Sequence, residues 1–265
     1  MKRMRFLCNI NNIIVKLSDY LITFMSFVSK PGKRKLISIA YSLKNKTGLE
    51  IGGPSKFFDL KSYFPVYLFA KRIDGVNFST ETVWEGKIEE GKNYHYGNRK
   101  TGYQFISEAS ELENVKKDHY DFLLSCHSLE HVANPLKALK RWNEVLKVHA
   151  KIVLVLPDKE YTFDVKRPYT SFEHLLEDYE NQITENDATH FGEVIKLHES
   201  AKDPNPQTPE EFAKRVENNY AIRSVHHHVY SLDVLDKMLQ HCNFKVIYKQ
   251  KAPPFHLIIV GEKTT

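Results

Sequence analysis

The segment Glu50-Ile51-Gly52-Gly53-Pro54-Ser55 places an acid beside two adjacent glycines. Glycine lets backbone approach a ligand closely. A carboxylate just ahead of such a turn accepts hydrogen bonds from ribose hydroxyls or an ammonium group. Asp74 follows Glu50 by 24 residues, and Ser107-Glu108-Ala109 comes next. Cys126-His127-Ser128-Leu129-Glu130-His131-Val132 completes the series. Each group lies near a short apolar segment with strand character. Ligands of open α/β sheets sit beyond the carboxyl ends of the strands, so the series reads as one binding edge.

A second set of reactive side chains lies downstream. It runs Asp158, Asp164, Arg167, His174, Asp178, Asp187, His190 and His198, then Arg223 and His226-His227-His228. Imidazole titrates near neutral pH and can take a proton from a reacting hydroxyl. His190, His227 and Asp158 are therefore the candidate catalytic residues. Arg167 and Arg223 are candidates for holding a phosphate or carboxylate through charge-assisted bonds, with His228 beside them. In an extended segment only His226 and His228 share a face. Asp187, His190 and the triple histidine would supply enough nitrogen and oxygen donors for a divalent metal. Their long sequence separation leaves that reading untested by spacing, and no metal site is favoured here.

These residues need elements to position them. Tyr120 to Ser125 is a short buried strand, and His127 to Val132 a turn. Pro135 to Leu146 is a helix with Leu136, Leu139, Trp142, Val145 and Leu146 along one side. Lys151 to Pro157 is a continuous apolar strand. Strand, helix and strand within about 38 residues call for a right-handed parallel crossover. A continuous apolar strand suits a sheet covered on both faces.

Thr47 to Ser55 is a short apolar segment, read as a first strand, that runs into a glycine-rich turn; a second strand ends at Asp74, and Tyr103 to Ile106 is a third. Residues 81–102 read as a polar loop with short strands. Phe6, Ile10, Ile13, Ile14, Leu17, Leu21, Phe24 and Val28 form one apolar stripe at helical spacing. Pro31-Gly32 breaks it, and a second helix runs from Lys33 to about Leu43. Residues 158–225 are mostly polar and helical. Leu232 to Leu239 is a helix, and Phe244 to Tyr248 and His256 to Val260 form an antiparallel strand pair.

The order of these pieces resembles the class I S-adenosylmethionine-dependent methyltransferases, in particular the small-molecule group with a Leu-Glu-His-Val turn after strand four. The resemblance covers roughly residues 45–160 and the final helix and strand pair. It implies a doubly wound, mostly parallel, seven-stranded Rossmann-like α/β sheet with an N-terminal helical cap and a helical insert. It implies S-adenosylmethionine as cofactor, held by Glu50, Gly52, Gly53, Pro54, Ser55, Asp74, Glu108, Ala109, Cys126, His127 and His131. The first turn departs from the commoner three-glycine spacing. Leu146-Lys147-Val148-His149-Ala150 replaces the usual Leu-Lys-Pro-Gly-Gly before strand five.

Composition bounds the rest. The chain has 265 residues, 42% hydrophobic and 27% charged, which excludes disordered, fibrous and disulfide-scaffold classes. One domain is expected, divided into a cap (1–45), a cofactor half (46–160), an acceptor-side insert (161–225) and closing elements (226–265). The net charge of +5 suits an anionic small acceptor. Without a basic patch interleaved with aromatics, it does not argue for nucleic acid. Cys8, Cys126 and Cys242 form no metal or disulfide pattern, so a reducing, cytoplasmic setting is expected. Lys16 and Asp19 interrupt the N-terminal apolar stretch, so no transmembrane segment is expected.

The expected acceptor is a sugar, a nucleotide-linked sugar or a phosphorylated intermediate of surface-polysaccharide synthesis. The chain would act as a monomer or homodimer. A non-catalytic cofactor-binding partner, or methylation of an amine or macromolecule, is the alternative.

Overall fold

The computed structural model describes residues 18–23, 25, 27–28, 31–97 and 100–265. Most of the expected N-terminal stripe, Phe6 to Leu17 and Phe24, lies outside them. The second expected helix is α1, Arg34–Ser42. Its Leu36, Ile37, Ile39 and Ala40 are buried.

One eight-stranded sheet organises the chain, in the order β5-β6-β2-β1-β7-β8-β10-β9. Its strands are β1 (Thr47–Ile51), β2 (Arg72–Asn77), β5 (Gly91–Tyr96), β6 (Lys100–Ile106) and β7 (Tyr120–Cys126). β8 (Leu146–Pro157), β9 (Phe244–Ala252) and β10 (His256–Lys263) complete it. β6, β2, β1, β7 and β8 run parallel, while β10 is antiparallel to both β8 and β9. The seven expected strands are all present. The eighth, β5, pairs antiparallel with β6 at the edge. Its sequence Gly-Lys-Asn-Tyr-His-Tyr carries only two apolar positions, Tyr94 and Tyr96, both buried. Residues Glu81–Thr82 (β3) and Gly86–Lys87 (β4) form a small separate hairpin.

Burial on both faces explains the apolar runs. Along β8, Ile152, Leu154 and Leu156 enter one core while Val153 and Val155 enter the other. β7 divides likewise, with Leu123 on one side and Phe122 and Leu124 on the other.

The crossover helix α3 (Pro135–Val145) begins where Asn134 accepts the Lys137 amide at 3.1 Å. Pro135 fills the first helical position, where no amide partner is needed. Such a cap contributes about 1 kcal/mol. α3 buries Leu136, Leu139, Trp142 and Val145. α2 (Val66–Phe69) and α1 cover the opposite face.

The insert contains α4 (Phe172–Glu180), α5 (Phe191–Leu197), α6 (Pro209–Glu217) and α7 (Asn219–Ile222). A closing helix, α8 (Leu232–His241), precedes β9. Among the described residues, no helix is long and apolar enough to cross a membrane.

Candidate active site

The first turn leaves β1 at Ile51. Gly52 adopts φ 72°, the left-handed region that favours glycine. A Cβ there would stand 2.2 Å from the Ser128 Oγ, which donates to the Ile51 carbonyl at 3.0 Å. A Cβ on Gly53 would meet the Glu50 carboxyl at 2.3 Å. Gly52 is thus required where the turn closes on the segment after β7, and Gly53 where it packs over Glu50 and Tyr94.

Glu50 is fully buried. Its carboxylate accepts from the Tyr67 hydroxyl at 2.7 and 2.9 Å, the Tyr94 hydroxyl at 2.7 Å and the Ser55 amide at 3.0 Å. Burial raises its pKa to about 7 against the lowering effect of these donors. Glu50 therefore organises the turn from beneath. Pro54 and Ser55 are half-buried, and the Ser55 hydroxyl accepts the Phe57 amide at 3.2 Å.

Asp74 does not end its strand. β2 continues to Asn77, and Asp74 pairs in register with Leu49 in the body of the sheet. Its carboxylate accepts from the Tyr103 amide at 2.8 Å and the Tyr120 hydroxyl at 3.0 Å, with Arg72 at 3.1 Å. Asn77 stands at the carboxyl end instead, and its amide donates to the Gly53 carbonyl at 3.3 Å. The strand outruns the expectation because tertiary donors satisfy an acid inside it.

Beyond β6, Glu108 meets Arg223 at 2.6 Å. Arg223 also pairs with Glu185 at 3.0 Å and stands 5.3 Å from the Phe78 ring. Burial raises Glu185 to about 7 even with Arg223 beside it. The Ala109 carbonyl accepts the Trp142 indole at 2.8 Å, which ties this segment to the crossover helix. Glu108, Lys137, Glu185, Tyr220 and Arg223 are among the residues lining a cleft of about 170 Å³. A larger concavity, about 530 Å³ between α8 and β9, involves none of the strand-end turns.

At the end of β7, His127 has φ 52°, and its Nε2 lies 3.1 Å from the Nδ1 of His256. Burial pushes the Cys126 thiol up to about 12, so it is neutral at pH 7. His131 gives its Nδ1 proton to the Val225 carbonyl at 3.0 Å, which leaves Nε2 as the acceptor nitrogen. Glu130 is fully buried, and neither carboxylate oxygen has a hydrogen-bond partner. Burial raises it to about 7 while the neighbouring His226 pulls the other way.

His226 is the best-organised histidine at this edge. Its Nδ1 lies 2.5 Å from Asp164 Oδ2, and Asp164 Oδ1 accepts from Arg167 at 2.9 Å. Burial disfavours the His226 imidazolium, but Asp164 and Glu130 outweigh this and raise its pKa. Despite burial, His226 and Arg167 hold Asp164 down to about 2. The His226 ring lies 4.8 Å from both His131 and Phe163, and Trp84 reaches within 5.8 Å of His131. Trp84 is 62% exposed, at the tip of the β3–β4 hairpin.

The sequence-selected catalytic and acceptor residues are dispersed. Arg167 is 2% exposed and donates to Asp164, Glu193 and the carbonyls of His226 and His227. That leaves one of its five N–H groups without a described bond, so it is a buried tie and not an anchor for an acceptor. Arg223 is likewise enclosed by two acids.

Asp158 caps the short helical turn Lys159–Tyr161 and pairs with Lys251 at 3.2 Å. His227 is fully buried, with Nε2 3.1 Å from Asn219 Nδ2. His190 faces His174, Nε2 to Nε2, at 3.2 Å. His228 gives its Nε2 proton to the Ala133 carbonyl at 3.1 Å.

Sequence reading placed Asp164 and His226 among the reactive side chains but chose neither as catalytic, and it left Asn77 and Trp84 out of the site. Only Trp84 had a local signal, a lone large aromatic in a polar stretch. The others are defined by partners distant in sequence.

An open parallel sheet with glycine-bearing turns at its strand ends, closed by an antiparallel pair, defines a class I methyltransferase architecture. Residues 40–249 match the family described as "Methyltransferase domain". The chain belongs to that family: it is a methyltransferase of the class whose methyl donor is S-adenosylmethionine.

A solved structure shares the fold at low identity. An S-adenosylmethionine-dependent methyltransferase from Mesorhizobium loti is 10% identical, with TM-score 0.50, covering 88% of this chain and 96% of that one. One from Methanosarcina mazei is 18% identical, with TM-score 0.47, covering 86% and 97%. No curated protein matches the sequence significantly. The first turn fits such a cofactor: Gly52 is exposed at the strand ends, in a cradle that a Cβ would obstruct.

Proposed function

We propose that the chain methylates a hydroxyl group of a small molecule. The acceptor class we favour is a sugar, nucleotide-linked sugar or phosphorylated intermediate of surface-polysaccharide synthesis. The observation that carries the hydroxyl assignment is the 2.5 Å contact between His226 Nδ1 and Asp164 Oδ2. A hydroxyl must lose its proton as the methyl group arrives, whereas an amine need only be neutral. His226 offers a nitrogen for that proton. Asp164 holds Nδ1–H, so Nε2 is the acceptor.

The bound cofactor supplies an already activated methyl group. The protein aligns the reacting atoms and holds them close, a contribution on the order of 7–11 kcal/mol. The first turn, with Asn77 and Ser128 bracing it, forms one wall of that alignment. Glu108 and Ala109 form the side expected to face adenine. Trp84, Phe163 and His131 offer aromatic faces for the acceptor. Arg167 and Arg223 are both neutralised by acids, which favours recognition of an uncharged hydroxylic portion over a phosphate.

The test is methyl transfer from labelled cofactor across nucleotide sugars, phosphorylated small molecules and amines. Label is expected in a hydroxylic acceptor. Transfer to amines alone would remove the hydroxyl assignment. No binding at millimolar S-adenosylmethionine in calorimetry would remove catalysis by this chain.

A further inference from the structure

Four side chains outside the strand-end turns converge in the insert. His174 and Asp178 lie on α4 at i and i+4, and so share a helix face. His190 precedes α5, and His228 lies on the extended segment ahead of α8. One donor atom of each lies within 4.8 Å of the others.

His174 Nε2 stands 3.2 Å from His190 Nε2 and 3.4 Å from Asp178 Oδ2. Ligand atoms about 2.0–2.1 Å from a tetrahedral zinc ion stand about 3.3–3.4 Å apart. The two measured edges thus have the size of a tetrahedral site.

Two atoms of the cluster lack a hydrogen bond, although the Asp178 carboxylate also stands 3.7 Å from His228 Nε2. Asp178 Oδ2 and His228 Nδ1 are buried and make no hydrogen bond. Such groups are rare without an explanation. His228 donates Nε2–H to the Ala133 carbonyl, which leaves Nδ1 with a free lone pair. A ring nitrogen free on one side and tied to a backbone carbonyl on the other is the usual arrangement of a metal-binding histidine.

From these distances and unpartnered donors we propose that His174, Asp178, His190 and His228 form a four-ligand site for a zinc-class divalent transition metal. Three imidazoles and one carboxylate suit such an ion. Magnesium and calcium prefer oxygen ligands. Four protein ligands close the site, which marks it as structural. The metal would clamp α4 and the chain before α5 onto residues 225–230, the segment that carries His226. The site stands whether or not His226 accepts the proton. The other cluster of this kind among the described residues, Glu130-His131-His226, belongs to the site above.

The experiment uses the full chain expressed with added zinc. Elemental analysis is expected to find one zinc per chain. After chelation, calorimetric titration with zinc chloride should restore a one-to-one complex and raise the melting temperature. His174→Ala changes a partly exposed helical position, so it should fold. It should weaken zinc binding by at least ~100-fold, and Asp178→Asn should do the same.

Glu177→Ala, on the exposed face of α4, should bind as the parent does. Absence of zinc together with no binding to the chelated chain would overturn the site. So would unchanged affinity in His174→Ala, which would leave only a hydrogen-bonded cluster. S-adenosylmethionine binding, measured separately, tells failure of this site from failure of the methyltransferase reading.

Discussion

Asp164 Oδ2 and His226 Nδ1 lie 2.5 Å apart, joining the start of the insert to the extended segment that follows it. Arg167 braces the pair, donating to Asp164 and to the His226 carbonyl. The contact fixes one nitrogen of His226 and directs the other. His226→Gln is therefore expected to lower turnover by ~10²- to 10⁴-fold, the usual range for a positioned acid or base. Cofactor affinity should stay near that of the parent. Asp164→Asn keeps the shape and removes the charge, so it should also reduce kcat more than it changes KM. Steady-state kinetics with calorimetry check both. Unchanged turnover in His226→Gln would sink the assignment.

Glu50 makes the protein's stability depend on pH. Tyr67 on α2, Tyr94 on β5 and the Ser55 amide all donate to it, and Asp59 lies near enough to oppose its charge. Burial still raises it from an ordinary 4.5 to about 7. Between those values the folded chain holds a proton that the unfolded chain has lost. Its contribution to stability is full below about pH 4.5 and is lost as pH rises through about 7. The loss is about 3 kcal/mol on the usual conversion. Glu50→Gln cannot ionise and should flatten this part of the profile. Melting curves from pH 5 to 8.5 decide the matter; an identical slope in the variant would refute it.

The central crossover was readable because its signals are local. The β7 and β8 runs are apolar on both faces, and Asn134-Pro135 marks a helix start. The register of β2 was not. Arg72-Ile73-Asp74-Gly75-Val76-Asn77 shows an acid where a turn would begin, yet Asp74 is satisfied by Tyr120 and the Tyr103 amide.

The histidine run shows the same limit. Spacing places His226 and His228 on one face, but their partners separate them: Asp164 for His226, Asn219 for His227 and the Ala133 carbonyl for His228. Those partners come from loops and helices that no periodicity announces. Only the fold could show that His226 hydrogen-bonds its acid, while His227 and His228 stand 3.9 and 3.7 Å from Asp187 and Asp178.

Gly52→Ala should weaken cofactor binding through the shape of the first turn. A left-handed alanine costs about 1–2 kcal/mol. Its Cβ would also displace the Ser128 hydroxyl from the Ile51 carbonyl, losing about 1 kcal/mol more. Adding Ser128→Ala removes the 2.2 Å clash but leaves the residue 128 Cβ 3.0 Å away and the backbone cost. The double variant should therefore recover only part of the cofactor affinity. Calorimetry on both variants is the measurement, and parental affinity in Gly52→Ala would show that the turn tolerates a side chain.

Arg167 separates two readings of a buried cation. An acceptor-binding arginine, when removed, raises KM and leaves the fold intact. Here the guanidinium is 2% exposed and lies between Asp164 and Glu193, with two carbonyls of the histidine run. Removing one partner from a buried ion pair leaves an uncompensated charge and typically costs about 3–5 kcal/mol. Arg167→Ala is therefore expected to lower the denaturation midpoint strongly, and to reduce activity by displacing His226 even where the chain remains folded. Arg167→Lys keeps the charge but not the fork that reaches two acids and two carbonyls at once, so it should rescue only part of the loss. Chemical denaturation alongside kinetics checks this. A raised KM at parental stability would return Arg167 to the acceptor.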